Sequence, residues 1–364
     1  MSLTRKCLSL YRSAQNFIFQ RKLNGVGFTN ICHCEVLNDS TIDIDLCHGD
    51  IVHPCVRFCQ NKFKGHHWWM AYTPYYKASP AVENPILCWG EGDENTIPTK
   101  WHFESYIQPG HKKGYNSDPF ILHHDNKLYC FWRENSTEYL NRRNLHHGTF
   151  CKYYDENGNW SDISLVMPEK YEFQDRETCP AITISNNKLI GLGMSLKFKN
   201  EGIRKLLSNK GKVIYDKICN VFDLLGIYSQ QKFYGVALWE GTNFSDPFNY
   251  IQTVPIYGVN HLYKPWHMDI FDYSGNQYMV IQSNQCNADI CLAKKSENGT
   301  FNMYPIPLLT NKDISKMGIY KPTAGVIKNV FYLFFTAQDI NNRNLNKMYL
   351  ATMPFNLLLK KIDQ

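Results

Sequence analysis

Charged and polar side chains stand beside prolines, or at the start of apolar runs, at five places along this 364-residue chain. One such run reads SDPFILHHDNKLYCFWRE, over residues 117 to 134, with an aspartate directly before the proline. The five places supply Asp50 and His53; Asn116 and Asp118; Arg176 and Glu177; His267 and Asp269; and Tyr320 and Lys321. Carboxyl groups beside imidazole, guanidinium and ammonium groups can transfer protons and bind anions, provided that the fold brings them together.

A polar residue beside a proline is also ordinary turn chemistry, because aspartate and proline both favour turns. Turn chemistry does not, however, require acids to be paired with arginine, histidine and lysine at one place after another. We therefore expect these side chains to converge on one site.

The segments around these residues repeat a common pattern. Similar stretches begin near residues 54, 119, 180, 268 and 322, each with an apolar strand, a polar turn and a strongly apolar strand. An alternating strand, a turn with glycine or asparagine and one more strand follow each stretch. Four strands in each repeat are typical of a propeller blade. The sequence thus predicts an all-β fold, a five-bladed β-propeller over residues 50–364, in which the first strand of each blade lines a central channel.

Two segments lie outside this pattern. Residues 197–227 separate the third and fourth repeats, and their apolar residues recur at helical intervals, which predicts a helical insertion in blade three. Residues 1–49 are predicted to form an N-terminal extension. Within it, residues 5–20 could form an amphipathic helix that caps one face, and CHCEVLNDSTIDIDL, residues 32–46, could supply the strand that closes the ring against the last blade.

The motifs Ser117-Asp118-Pro119, followed by KLYCFWRE, and Arg176-Glu177-Thr178-Cys179-Pro180 resemble those of the five-bladed propeller glycoside hydrolases. This group includes the family 43 arabinanases and xylosidases and the family 32 invertases. The resemblance covers most of residues 50 to 360 as architecture. Two departures concern the acids: His53 stands where the family has an aspartate before the blade-one proline, and Glu177 lies three residues before its proline instead of two.

The resemblance implies an enzyme that cleaves or transfers a glycosidic bond of an oligo- or polysaccharide. Such a reaction normally uses one protonated and one ionised carboxyl group. Glu177 is then the general acid, Asp118 orients the sugar and raises the pKa of that acid, and the base is Asp50, Asp269 or His53. Hydrolysis, phosphorolysis and transglycosylation all remain open, because phosphorylases of the family 130 type use phosphate in place of water.

The expected pocket is unusually cationic for a neutral sugar, which makes an acidic or phosphorylated sugar a candidate substrate. Candidate substrate-binding residues are Arg133, Arg176, His267, Lys321 and Tyr320, with Glu83 and Asn84 at the rim and Trp89 as a ring that stacks on sugar. The alternative is a non-catalytic glycan-binding propeller with a part in surface polysaccharide assembly, in which the acids only hydrogen-bond sugar hydroxyls. The missing blade-one aspartate favours this alternative, whereas the convergent acids and arginines favour an enzyme.

Composition excludes several other classes. The net charge of +6 is small and dispersed, which argues against nucleic acid as a partner. No apolar run reaches the length of a membrane span, and no motif indicates a metal or another cofactor. The thirteen cysteines form no pair of CxxC motifs, and we interpret them as reduced thiols, which favours a cytoplasmic protein. Nothing in the sequence fixes the oligomeric state.

Overall fold

The computed structural model describes residues 24–37, 50–75, 82–109, 114–136, 147–168, 178–198, 208, 211, 232–258, 265–283, 289–314, 318–338 and 345–363. Within these ranges the chain forms twenty β-strands and one helix, so the fold is all-β apart from its C-terminal end.

Antiparallel pairing groups the strands into five sets of four, which we call units one to five, and short parallel pairings join four of these units two by two. Unit one contains β2 (Val52–Phe63), β3 (His66–Thr73), β4 (Ile86–Gly90) and β5 (Lys100–Tyr106). Unit two contains β6 (Gly114–His124), β7 (Lys127–Ser136), β8 (His147–Asp155) and β9 (Ser164–Pro168). Unit three contains β10 (Thr178–Ser185), β11 (Lys188–Phe198), β12 (Lys232–Gly241) and β13 (Asn249–Tyr257). Unit four contains β14 (Pro265–Tyr273), β15 (Asn276–Ser283), β16 (Ile290–Lys295) and β17 (Phe301–Met303).

Unit five takes its fourth strand from the beginning of the chain. It contains β18 (Ile319–Ile327), β19 (Val330–Gln338) and β20 (Asn346–Pro354), and β1 (Asn30–Leu37) pairs antiparallel with β20. The last residues of β1, from Glu35 to Leu37, then run parallel to β5 of unit one. This strand therefore joins the last unit to the first.

The first strands of the units contact one another in a closed cycle. β2 contacts β6, β6 contacts β10, β10 contacts β14, β14 contacts β18, and β18 contacts β2 again. This is the arrangement of a β-propeller, in which the first strands surround a central channel. The core lies between the units and is rich in aromatic rings, with Trp68, Trp69, Trp101, Trp132 and Trp239 all fully buried.

Each first strand is irregular at its start. The pairing of the first strand with the second shifts register between Val52 and Cys55, Ser117 and Phe120, Thr178 and Ala181, Pro265 and His267, and Tyr320 and Thr323. A proline lies inside four of these shifts, where its missing N–H costs no ladder hydrogen bond. Bulges of this kind change the direction of a side chain, and here they coincide with the polar residues that the sequence repeats.

The helix, α1 (Phe355–Ile362), follows β20 and buries Phe355, Leu358 and Ile362. No helix in the described part of the chain is both long and apolar enough to cross a lipid bilayer. The predicted helical insertion, 197–227, lies outside the described residues apart from the end of β11 and residues 208 and 211. The predicted cap helix, 5–20, and residues 38–46 of the predicted closing strand also lie outside them.

We predict that a charge placed on the buried face of β1 will disrupt ring closure. Cys34 is 1% exposed and packs in the cluster of Trp101, Phe334 and Met348, so Cys34→Asp would bury a carboxylate without a partner. We expect the free energy of unfolding to fall by about 3 kcal/mol or more in urea denaturation.

The matched control is His33→Asp, which adds the same group one residue away on the exposed face of β1. This variant should change the free energy of unfolding by about 0.5 kcal/mol or less, as surface substitutions usually do. Equal losses for the two variants would contradict the prediction, because they would mean that a carboxylate on the buried face of β1 costs no more than one on the exposed face.

Candidate active site in the central channel

The register shifts bring polar side chains from four units together at one end of the channel. We call this set the bulge cluster: it consists of His53 (β2), Glu83 (before β4), Asp118 (β6), Arg133 (β7), His267 (β14) and Lys321 (β18). All except Arg133 are buried, with between 1% and 6% of each residue exposed. Buried charges are costly unless they are paired, so the contacts within the cluster decide what it can do.

Asp118 lies at the centre of the cluster. Its Oδ1 atom lies 3.4 Å from His267 Nδ1, 3.7 Å from His53 Nε2 and 4.0 Å from Lys321 Nζ. Its Oδ2 atom lies 3.4 Å from Arg133 Nε and accepts a hydrogen bond from the Ser117 hydroxyl at 3.3 Å. One carboxylate therefore contacts basic groups from units one, two, four and five.

These contacts keep Asp118 ionised. Burial by itself would raise the pKa of this carboxyl group, but His53, a hydrogen bond from His267, and Arg133 outweigh it and hold the pKa well below its usual value. Burial also lowers the pKa of His53 well below its usual value, and it lowers the pKa of His267 to about 4. Both imidazoles are therefore neutral at neutral pH.

Glu83 is the second carboxyl group of the cluster, on the other side of the His53 ring. Its Oε1 atom lies 3.3 Å from His53 Nδ1, which also hydrogen-bonds to the hydroxyl of Thr73 at 2.8 Å. Burial, and then the charge of Asp118, raise the pKa of Glu83 to about 8, although Arg133 opposes the shift. At neutral pH Glu83 is thus mostly protonated, while Asp118 is ionised.

The backbone is strained at the residues that precede Pro54 and Pro119. His53 has φ of 54° and Asp118 has φ of 52°, both in the left-handed region that only a few per cent of non-glycine residues adopt. Strain of this kind is retained where the surrounding structure fixes it, and it is concentrated at functional sites. The bulged backbone thus holds both side chains towards the channel.

A second pair of charges follows further along the same strands. Arg57 donates from NH1 to Asp269 Oδ2 at 2.9 Å and from NH2 to Asp269 Oδ1 at 2.5 Å. Asp269 also accepts hydrogen bonds from the Thr323 hydroxyl at 2.6 Å and from the backbone N–H groups of Ala324 and Ile270. Its carboxylate is fully occupied by these partners and holds β2, β14 and β18 together.

Asp50 is also occupied by contacts that support the backbone. Its carboxylate accepts hydrogen bonds from the backbone N–H groups of Tyr75 and Asn346, and from the Asn346 side chain. Burial raises the pKa of Asp50, whereas these hydrogen bonds lower it. Asp50 and Asp269, two of the expected bases, therefore lie in separate networks from Asp118.

Of the other expected site residues, one lies beside the bulge cluster, two lie before or on β4, and two are not described by the structure. The Tyr320 ring lies beside the bulge cluster, 4.4 Å from the His267 ring and 5.3 Å from the His53 ring, measured between centroids. The backbone N–H of Asn84 donates to Val82, and Trp89 on β4 stacks between His66 and His102 at 3.9 and 4.0 Å. Arg176 and Glu177, the predicted acid, lie outside the described residues.

Sequence reasoning missed Arg57, Thr323 and Tyr115. Tyr115 accepts a hydrogen bond from Arg133 at 3.3 Å, and Arg57 and Thr323 hold Asp269. Alternation along the strands could not have identified Arg57 or Thr323, because the register shifts at His53 and Lys321 interrupt the alternation before it reaches them.

No protein-family model matches the chain, and no curated protein matches it in sequence. Solved structures do match. An N-acetylgalactosamine deacetylase from F. plautii, solved with blood group B trisaccharide, is 12% identical with a TM-score of 0.61, over 93% of this chain and 97% of that one. The chain shares its fold.

Two further structures are those of a family 43 glycoside hydrolase from Bacillus licheniformis and a sucrose-6-phosphate hydrolase from Lactobacillus gasseri. The first is 12% identical with a TM-score of 0.54, over 85% of this chain and 55% of that one. The second is 8% identical with a TM-score of 0.58, over 88% of this chain and 59% of that one. The resemblance to propeller glycoside hydrolases is thus confirmed at the level of the fold.

We predict that Arg57 and Asp269 stabilise the channel as a coupled pair. Arg57→Met would leave a buried carboxylate without its cation and should lower the free energy of unfolding by about 3–5 kcal/mol. The double variant Arg57→Met/Asp269→Asn should lose less than the sum of the single variants, by about 1–3 kcal/mol, in a double-mutant cycle.

Thr323→Val is the control, since it removes one hydroxyl donor but leaves the bidentate contact of Asp269 with Arg57. It should cost about 1–3 kcal/mol, because it also leaves the buried N–H group of Val56 without its acceptor. Additive losses in the cycle would show that the two charges act independently.

Proposed function

We propose that the protein is a carbohydrate-active enzyme that cleaves or transfers a glycosidic bond of an oligo- or polysaccharide in the bulge cluster. The observation that carries this proposal is the contact of two buried carboxyl groups, Glu83 and Asp118, with opposite ring nitrogens of His53. Their surroundings raise the pKa of Glu83 and lower that of Asp118. The fold similarity to glycoside hydrolases supports the same class of substrate.

Glycosidic bond cleavage uses two carboxyl groups in different protonation states, one to protonate the leaving oxygen and one to act while ionised. Where two neighbouring carboxyl groups have pKa values that differ widely, the acid and the anion can be assigned from their surroundings. Glu83 has the raised pKa and is in contact with the cluster, so it can donate a proton. Asp118 can bind sugar hydroxyls and stabilise positive charge that develops on the sugar ring.

Other residues take supporting parts in this proposal. We propose that His53, which contacts both carboxyl groups, positions them relative to each other. Asp50 and Asp269 then support the backbone, because their oxygens already accept several hydrogen bonds each. Glu177 stays our candidate general acid from the sequence, and Arg176 a candidate substrate ligand, so both belong in the variant set with Glu83.

We further propose an acidic or phosphorylated sugar as the substrate. The half-buried Arg133 side chain and the buried Lys321 can contact an anionic group besides Asp118. The rings of Tyr320 and Trp266 lie beside His267 and can pack on a sugar face. The sucrose-6-phosphate hydrolase with the same fold acts on such a sugar, which supports including sugar phosphates among the test compounds.

The finer architecture and the location in the cell are part of the proposal. We infer that the five units are five blades of one propeller, with residues 1–49 as an N-terminal extension that also supplies the closing strand, and a helical insertion at 197–227 in the third blade. A cytoplasmic location is supported by eight cysteines whose side chains the structure describes, which are free thiols, seven of them buried.

Turnover by site variants tests the reaction. The protein is incubated with neutral, acidic, phosphorylated and N-acetylated oligosaccharides, with and without phosphate, and reducing ends, sugar phosphates and acetate are measured. Acetate is included because the deacetylase from F. plautii shares the fold.

Glu83→Gln should reduce turnover about 10²- to 10⁴-fold, the usual contribution of a general acid, while the Kd of the oligosaccharide changes little. Glu177→Gln is measured in parallel and decides between the two candidate acids.

Glu104→Gln is the matched control, because it also removes a largely buried carboxylate, but one that binds Lys64 and Tyr154 away from the cluster. Its turnover should stay within about threefold of the unmodified protein, as expected for a site outside the catalytic groups. Full turnover in both Glu83→Gln and Glu177→Gln would overturn the assignment of the acid.

The second candidate function is glycan binding without catalysis. It is favoured by His53 in the blade-one position and by the engagement of Asp50 and Asp269 in other networks. In that case calorimetry shows that the unmodified protein binds an oligosaccharide, and the turnover assay detects no product with any compound. The Asp118→Asn variant then binds the oligosaccharide more weakly.

A further inference from the structure

We propose that His53, Asp118 and His267 form a binding site for one divalent transition-metal cation. Their ligand atoms lie within 4.8 Å of one another, and all three residues are buried. The inference concerns cation binding alone and does not depend on the reaction proposed above.

The separations between ligand atoms suit a small cation. Two ligands at about 2.1 Å from a tetrahedral cation lie about 3.4 Å apart. Asp118 Oδ1 lies 3.4 Å from His267 Nδ1 and 3.7 Å from His53 Nε2. Three protein ligands leave a fourth position open for water or a substrate oxygen.

The hydrogen bonds of His53 direct one of its ring nitrogens towards this position. The Thr73 hydroxyl donates to the carbonyl of Val52, so its oxygen can accept the Nδ1 proton of His53 at 2.8 Å. The Nε2 atom then carries a lone pair and faces Oδ1 of Asp118, 3.7 Å away, so both atoms can bind a cation placed between them.

This arrangement also matches how proteins orient metal-binding histidines. The ring nitrogen that does not bind metal usually donates to a carboxyl group or another oxygen, which fixes the ring. Glu83 and Thr73 provide these oxygens for His53. Without a cation, His267 Nδ1 donates a hydrogen bond to Asp118. To bind a cation through Nδ1, the neutral ring must carry its proton on Nε2 instead, which is possible because either ring nitrogen can carry it.

The donor set indicates the class of cation. Two imidazole nitrogens and one carboxylate oxygen suit Zn²⁺, Co²⁺, Fe²⁺ or Mn²⁺, whereas Ca²⁺ and Mg²⁺ prefer oxygen ligands throughout. The sequence did not indicate this site, because the three residues are separated by 65 and 149 positions along the chain.

Lys321 opposes the cation. Its Nζ atom lies 4.0 Å from the same oxygen of Asp118, so it offsets the carboxylate charge when the site is empty. An incoming cation must compete with this ammonium group. Lys321→Met should therefore tighten binding, roughly tenfold or more, because two positive charges a few ångströms apart repel.

Calorimetry on untagged full-length protein tests the proposal. The protein is treated with EDTA, dialysed and titrated with Zn²⁺, and metal content is measured separately after dialysis. We expect one equivalent to bind, with affinity at least about 100-fold lower in His53→Gln and His267→Gln, since each removes one of three ligands. With Co²⁺, the visible absorption bands of a cation with nitrogen and oxygen ligands should appear and should be lost in both variants.

The control is Cys32→Ser/His33→Gln, which removes another group of potential ligands on β1 and should leave the binding unchanged. The proposal is overturned if the unmodified protein binds no equivalent of Zn²⁺, or if the equivalent is lost in the control and kept in the histidine variants. Should those variants fail to fold, as judged by circular dichroism, Lys321→Met decides: unchanged or weaker affinity overturns the proposal. Turnover is not used here, so this result and that of the sugar assay are independent.

Discussion

A buried carboxylate needs partners, and the requirement of Asp118 is met by groups from four different units. His53, Arg133, His267 and Lys321 each come from a different strand. The charges of Arg133 and Lys321 and the contacts of the two imidazoles together stabilise one carboxylate that would otherwise be costly inside the protein. The closed cycle of first strands makes this possible, because it brings side chains that are distant in sequence to one point. The chemistry of the site therefore depends on ring closure.

The bulges connect the sequence pattern to this chemistry. A regular strand would direct alternate side chains to the channel and would offer no freedom to aim a particular carboxyl group. At the start of β2 and β6, the register shifts around Pro54 and Pro119, together with positive φ values, change the direction of His53 and Asp118. The recurring prolines are thus part of how the site is formed.

Much of the fold could be predicted from the sequence, because the period of the strands and the repeated turns are local signals. The all-β arrangement in units of four strands was recognised from such signals, and so was Asp118 as a residue of the channel. The roles of the other acids could not be predicted in this way. Asp50, Asp118 and Asp269 all lie near the start of a first strand, but their partners come from distant parts of the chain: Asn346, His267 and Arg57, respectively. The sequence predicts Glu83 as a ligand at the rim. Its raised pKa follows from its burial, which only the structure shows.

The strand β1 has a consequence for folding kinetics. Cys32 on β1 and Leu350 on β20 are neighbours although 318 residues separate them along the chain. The loop between them must close before this pairing contributes any stability, and contacts between residues so far apart in sequence slow the folding of β proteins. Partly folded chains will therefore carry an exposed edge on unit five until β1 docks, which makes this edge the place where association with other chains competes with correct folding.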